Sequence, residues 1–289
     1  MEELFLHLPF SQLPLADDFM FGEVMHSPEI CTMFLESLLR TRIDHIEYIT
    51  KQQELSESFV SHGIRIDVYL RDDRRTVYSV EMQRSRIGGM FKRIRYYQGV
   101  IDRNNLEKGQ RYTLVPESYI ILVCTFDPFG KGLAVYERVC CIKDCPGAVY
   151  EDGTHVLLLN SAYTRGNAER PVLEFLDCIR SNNTDAGSYT SALMRAICPA
   201  IAEVRKDTSK EAIYMTLDLK LQEILWVGEE RGEKRGEARG EARGKEKGIR
   251  ALVKSLQKYT QNKEAVRDAV AEQFQLSPEE AERKVSQYW

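Results

Sequence analysis

Asp67, Glu81 and Gln83 are the residues whose types and spacing best fit a chemical task in this chain of 289 residues. Two carboxylates and an amide converging on one sheet face would hold a hard divalent cation such as Mg²⁺, and would suit phosphodiester cleavage. The surrounding residues predict that convergence. Ile64, Ile66, Val68 and Leu70 alternate with Arg65, Asp67 and Tyr69, which is the period of a half-buried strand. Asp72, Asp73 and Arg74 supply a polar turn, and Val77 to Gln83 reads as the returning strand. With the turn centred on Asp73, Asp67 lies opposite Ser79 and Glu81 is its diagonal neighbour. Diagonal neighbours across an antiparallel pair sit roughly 7–8 Å apart, within reach of one shared cation. Gln83, two residues beyond Glu81, projects from the same face.

The elements that must position this hairpin can be read outward from it. Residues 15–40 read as two short helices, with Asp17 or Asp18 as N-cap and Pro28 opening the second. Residues 45–55 make a first strand, and 62–71 with 75–83 form the hairpin. A helix from Met90 to Asn105 carries Phe91, Ile94, Gln98 and Ile101 along one stripe, with Arg93 and Tyr97 one turn apart on another. Tyr119 to Phe126 is continuously apolar, as expected of a central strand buried on both faces. Further strands are expected within Gly132–Ile142 and His155–Asn160, divided by a turn from Asp144 to Gly147. This order predicts an α/β core. From Arg170 to Leu225 the pattern turns helical.

These segments, in this order, resemble the PD-(D/E)XK nuclease superfamily, specifically its transposase-like, recombination-promoting branch. Asp67 and Glu81-Met82-Gln83 match the spacing of its active-site strands. Asp18 to Phe21 and Met33 to Leu39 look like that branch's opening helices. Arg93 to Gln98, Gly109 to Tyr112 and Tyr119 to Phe126 look like its second core helix and fourth core strand. Leu157 to Asn160 and the Glu-Arg-Gly repeats near the end are similar to its C-terminal half. Two positions depart from the general motif. Ile66 stands where the superfamily name implies Pro, and Gln83 stands where it has Lys, as is usual in this branch. Lys supplies a full charge near the attacked phosphate, whereas Gln offers only dipoles.

The resemblance implies a restriction-endonuclease-like fold, with a mixed central sheet flanked by helices and a helical C-terminal region after it. It implies a DNA endonuclease that uses Mg²⁺, with Mn²⁺ as an alternative ion, and a link to recombination or transposition. Asp67 and Glu81 would bind the metal, joined by the backbone carbonyl of Met82, and Gln83 would orient the attacking water. Asp18 or Glu23 on the first helix is a candidate additional acid. Arg93 and Tyr97 would face the scissile phosphate. The alternative is a catalytically degenerate nuclease fold that binds DNA or another partner without cutting, and Gln83 is the feature that supports it.

Net charge −4 argues against indiscriminate nucleic-acid binding by the whole surface. Its distribution is more informative. Between Arg84 and Arg111 stand eight basic residues (Arg84, Arg86, Lys92, Arg93, Arg95, Arg103, Lys108, Arg111) against Asp102 and Glu107. A phosphate backbone would be guided there by charge, which makes Arg84, Lys92, Arg93, Arg95 and Tyr97 the expected DNA contacts. The content of 43% hydrophobic residues is that of a folded protein. No basic segment precedes an apolar one at the N-terminus, and no apolar run nears the ~18 residues of a membrane span, so the expectation is a cytoplasmic protein without a membrane partner. The seven cysteines include no Cys-x-x-Cys pair and are expected to be buried free thiols, not a zinc site.

Gly228, Gly232, Gly236, Gly240, Gly244 and Gly248 recur every four residues among Glu and Arg. Each glycine costs a helix about 1 kcal/mol relative to Ala, so the segment reads as a flexible linker or as a helix that needs a partner. The expected organisation is a nuclease-like core at 1–165, a helical region packed on it at 166–227, the repeat at 228–248 and a small helical tail at 249–289. A homo-oligomer would form through the repeat.

Overall fold

A computed structural model describes residues 8–48, 68–86, 88–145 and 147–289 of the chain. Two compact units divide between Tyr214 and Met215. In the first, helices α1 (Asp18–Met25) and α2 (Pro28–Leu39) each begin on a side-chain cap. Asp17 accepts from the backbone N–H groups of Phe19 and Met20, and Ser27 accepts from that of Ile30 with Pro28 at the first helical position. These caps satisfy amide donors that no intrahelical partner reaches.

The strands are β1 (Ile46–Tyr48), β2 (Val68–Asp72), β3 (Val77–Gln83), β4 (Ser118–Cys124), β5 (Val135–Glu137) and β6 (Thr154–Asn160), in the order β1-β2-β3-β4-β6-β5. β1 and β2, and β2 and β3, pair antiparallel. β3, β4 and β6 are parallel, and β5 returns antiparallel on β6. The sheet is therefore mixed, and helices cover both faces. Helix α3 (Met90–Asn105) connects β3 to β4, and its residues Ile94, Tyr97 and Ile101 pack with Val77, Ile120, Leu122 and Leu158. The other face carries Val80, Met82, Ile121, Val123 and Leu159. It packs with Phe21 of α1, Phe34 of α2, Phe175 of α4 (Arg170–Ser181) and Ile197 of α5 (Ala192–Val204). Burial on both faces explains why β4 reads as an unbroken apolar run; each fully buried Ile, Leu or Val contributes roughly 1.5–3 kcal/mol. Because α4 and α5 share this core, the first unit extends past residue 165 to Tyr214.

Two expectations need correction. Ser79 pairs with Tyr69, not with Asp67, and Val68 pairs with Val80. The turn sets this register: Asp72 Oδ1 accepts from the backbone N–H of Arg74 at 2.9 Å and of Thr76 at 2.8 Å, and Arg75 takes a positive φ of 69°. The turn therefore centres on Arg74, one residue later than expected, which slides the pairing by two. Asp67 itself, with the rest of 49–67, lies outside the described residues. On α3 the buried stripe is Met90, Ile94, Tyr97 and Ile101, while Phe91 is exposed. Tyr97, expected on a separate stripe with Arg93, belongs to the buried one.

Helix α6 (Thr208–Leu256) enters the second unit at Met215 and continues there through the glycine repeat. Glu230 and Lys234 form an i,i+4 ion pair there at 2.7 Å. At its C-terminal end Ile249 and Val253 join Val266 and Val270 of α7 (Lys263–Phe274) and Val285 of α8 (Pro278–Tyr288) in a small separate core. Ser277 caps α8 by accepting from the backbone N–H of Glu280. No helix among the described residues is long and apolar enough to cross a membrane.

Candidate active site

Glu81 lies on the face of β3 that α3 covers and is only 5% exposed. Arg93 and Tyr97, one helical turn apart, both reach it. Tyr97 donates its hydroxyl to Glu81 Oε1 at 3.0 Å, and Arg93 Nη2 lies 3.6 Å from Oε2. Burial raises the Glu81 carboxyl above the usual carboxylate range. Arg93 and the Tyr97 hydrogen bond oppose that rise, and the charge of Asp18 adds to it.

Gln83 is buried two residues further along the strand. Its Oε1 accepts from the Arg93 guanidinium, and its Nε2 donates to the Ser85 carbonyl at 2.7 Å. A guanidinium can only donate, so Arg93 fixes which way the amide points. Each amide atom keeps one further hydrogen-bonding position for a ligand or water. Arg93 also lies over the Tyr97 ring, 5.8 Å from its centroid. These contacts turn Arg93 and Tyr97 toward Glu81 and Gln83, and Tyr97 is only 3% exposed.

Among the described residues, four buried side-chain atoms lack a hydrogen-bond partner: Ser79 Oγ, Glu81 Oε2, Arg93 Nε and Gln98 Oε1. All four belong to β3 or α3. Buried polar atoms are nearly always paired, so orphans confined to one strand–helix seam mark a place for water or an ion. Gln98 is otherwise engaged, donating to Asp102 and Ser118 at 2.8 Å each.

The other expected site residues divide by location. Asp18 pairs with Arg84, whose Nε lies 3.4 Å from Oδ1, and Arg84 also reaches Asp17 at 3.5 Å. Asp18 is thus tied to the residue after Gln83 and acts on Glu81 through its charge. Glu23 is held elsewhere, in a 2.8 Å ion pair with Lys210. Lys92 and Arg95 are exposed on α3.

Glu81 Oε2, a carboxylate oxygen that accepts no hydrogen bond and faces Arg93 at 3.6 Å, fits a hard cation. Among the described residues, no group of three or more His, Cys, Asp or Glu side chains is arranged to hold a metal. The described part of the site therefore offers Glu81, with Asp18 nearby in charge. Cys140, Cys141 and Cys145 do not add to it. Cys141 and Cys145 are exposed and Cys140 is half-buried, so only Cys31, Cys124, Cys178 and Cys198 are the buried thiols expected.

With this geometry in view, the comparison with known families is decisive: the model of the PD-(D/E)XK nuclease family transposase matches residues 18–216. The chain belongs to this family. The match begins at Asp18, the acid beside Arg84, and ends just past the boundary of the first unit, so the PD-(D/E)XK nuclease family accounts for the sheet and the helices on both its faces. No curated protein and no solved structure matches the chain significantly.

What sequence reasoning missed at this seam is the hydrogen bond from Tyr97 to Glu81. The i,i+4 spacing of Tyr97 from Arg93 was visible, but which residues the pair faces depends on how α3 is rotated against β3. Ser79 and Gln98 were read only as hairpin and helix positions, and no sequence signal distinguishes them from ordinary polar residues in a half-buried element.

Proposed function

We propose that this PD-(D/E)XK family protein is a metal-dependent DNA endonuclease whose site is built on β3 and α3. The observation that carries the reading is Glu81: a buried carboxylate that accepts from Tyr97 on one oxygen, while its other oxygen has no hydrogen-bond donor and only the Arg93 guanidinium at 3.6 Å. A buried carboxylate without such a role is costly, and a divalent cation would offset its charge. In this reading Glu81, Asp67 and the Met82 carbonyl hold Mg²⁺ or Mn²⁺. Asp67 immediately precedes Val68, and Val68 pairs with Val80, the neighbour of Glu81. The bound ion would lower the pKa of a water molecule and neutralise charge developing on the phosphate.

The remaining roles fall to side chains of this chain. Gln83, oriented by Arg93, would use its remaining amide positions to align the attacking water. Arg93 would hold Gln83 and balance Glu81, and so position the site instead of binding the DNA backbone. Asp18 is the candidate additional acid in place of Glu23, which Lys210 occupies. Lys92 and Arg95 would contact phosphates, with Arg84 shared between the DNA and Asp18. A link to recombination or transposition, and self-association through the glycine repeat, belong to the same proposal.

Calorimetric titration with Mg²⁺ and Mn²⁺ tests the site directly. Saturable binding to the wild type that Glu81→Ala and Asp67→Ala both lose is the expected result, and equal binding by all three would rule the site out. A second reading, a DNA-binding protein that does not cut, is favoured by the engagement of both Gln83 amide atoms within the protein. It predicts salt-sensitive DNA binding without metal-dependent cleavage.

A further inference from the structure

The seam of β3 and α3 accounts for phosphates and metal but leaves an unusual surface beside it unexplained. Phe91 and Phe129 are 54% and 47% exposed. Their rings stack on one another, with centroids 5.5 Å apart and planes 26° from parallel. Tyr136 supports Phe129 from behind, edge-on at 4.9 Å.

The loop that presents Phe129 is locked. Asp127 Oδ1 accepts from the backbone N–H of Phe129 at 3.0 Å and of Gly130 at 2.8 Å, and its Oδ2 accepts from that of Gly132 at 2.7 Å. The Tyr136 hydroxyl donates to Asp127 Oδ1 at 2.7 Å. Gly130 and Gly132 take positive φ angles of 66° and 74°, which other residues adopt poorly. One carboxylate thus gathers four donors and holds a phenyl ring out in water. That ring is not needed to fill a core.

This surface grows from the same strand ends as the site. Arg86, three residues after Gln83, lies over Phe126 and donates to the Asp127 carbonyl, which ties the segment after β3 to the loop after β4. Lys92 follows Phe91, Lys131 lies two residues after Phe129, and both lysines are exposed. No acidic residue occurs in sequence between Arg84 and Tyr97. Exposed aromatic faces on segments that also carry exposed lysines complement a nucleobase between phosphates better than they complement an apolar protein surface.

We propose that Phe91 and Phe129 form a stacking platform for an unpaired nucleobase beside the cleavage site. The substrate class is then DNA with single-stranded character at the cut, such as a single strand, a frayed end or a gap. A fully paired duplex offers its bases only at its ends and would not engage the platform. This inference rests on the nuclease reading above for the position of the DNA, but its test does not depend on cleavage.

Fluorescence anisotropy with the full-length protein in EDTA compares a labelled single-stranded 20-mer with a blunt duplex of the same sequence. Phe91→Ala and Phe129→Ala are each expected to weaken single-strand binding roughly 5- to 100-fold while changing duplex binding less than twofold. Phe129→Trp keeps the platform; it should restore affinity, and its added emission should be quenched by the single strand. Circular dichroism of each variant separates a lost ring from a lost fold, and Phe129→Trp supplies the readout if an alanine variant does not fold. Single-strand affinity that is unchanged in folded Ala variants, or single-strand and duplex affinity reduced alike, would overturn the platform while leaving the nuclease reading intact. A wild type that binds neither DNA would overturn both. Loss of a dimer in the Ala variants with DNA binding unchanged would reassign the patch to a second copy of the chain.

Discussion

Tyr97 holds Glu81 by one carboxylate oxygen and leaves the other without a hydrogen-bond donor. The hydroxyl comes from the buried stripe of α3, so the geometry of the acid depends on how that helix packs on the sheet. Tyr97→Phe keeps the ring in the core and removes only the donor. Metal affinity and cleavage should each fall about 10- to 100-fold, as for other partners that orient a metal ligand. The fold should be preserved. Unchanged metal affinity in calorimetry would mean that Tyr97 only fills space.

Glu81 also predicts how the metal-free protein responds to pH. Its folded-state carboxyl is raised above 4.5, first by burial. The stability it contributes is therefore fully present below pH 4.5 and is lost as pH rises through the folded value. Glu81→Gln preserves the shape and removes the buried charge. In EDTA at pH 7 it should melt at a higher temperature than the wild type, with a gap that narrows at acid pH, and added Mg²⁺ should stabilise only the wild type. A lower melting point for Glu81→Gln at both pH values would show that the Arg93 interaction outweighs the cost of burial.

Gln83 should act through orientation. Gln83→Ala is expected to reduce turnover roughly ten- to a thousandfold, the range for a lost polar stabiliser, with little change in DNA affinity. Gln83→Lys restores the residue of the general motif but sets a second cation against Arg93. It should lose activity alone and regain some in combination with Arg93→Gln. Full activity of Gln83→Lys alone, in steady-state assays, would show that Arg93 moves aside.

Much of the fold was legible because its patterns are local. The apolar run of β4, the cap at Asp17 and the start of α2 at Pro28 each follow from a few neighbouring residues, whereas the alternation around Tyr69 misled, since Val68, Tyr69 and Leu70 are all buried. The register of the hairpin was not legible, because it depends on Asp72 folding back onto two amides and on Arg75 accepting a left-handed backbone. The rotation of α3 was missed for a related reason: Phe91 and Met90 are both apolar, and only packing against β4 selects Met90 as the buried one. At the site, the ordered resemblance brought Glu81, Gln83, Arg93 and Tyr97 forward together. Their mutual contacts came from distances. That Arg93 faces inward, and that Glu23 is taken by Lys210, are facts of tertiary structure that sequence spacing does not encode.

Lys92 and Arg95 are exposed on α3 and should contact phosphates, which carry no sequence information. Reversing both charges should weaken binding to all duplex sequences alike. The slope of log affinity against log salt should also fall by about 2. Anisotropy titrations at several salt concentrations measure both quantities. An unaltered slope would place the DNA elsewhere.

Nicking of supercoiled plasmid, with and without Mg²⁺, tests the central claim most directly. The wild type should convert supercoiled to open-circular DNA with Mg²⁺ or Mn²⁺ and fail to do so in EDTA. Glu81→Ala and Asp67→Ala should each abolish that conversion while remaining folded. Metal-dependent nicking that persists at the wild-type rate in both variants, or a pure and folded wild type that never nicks, would contradict the account.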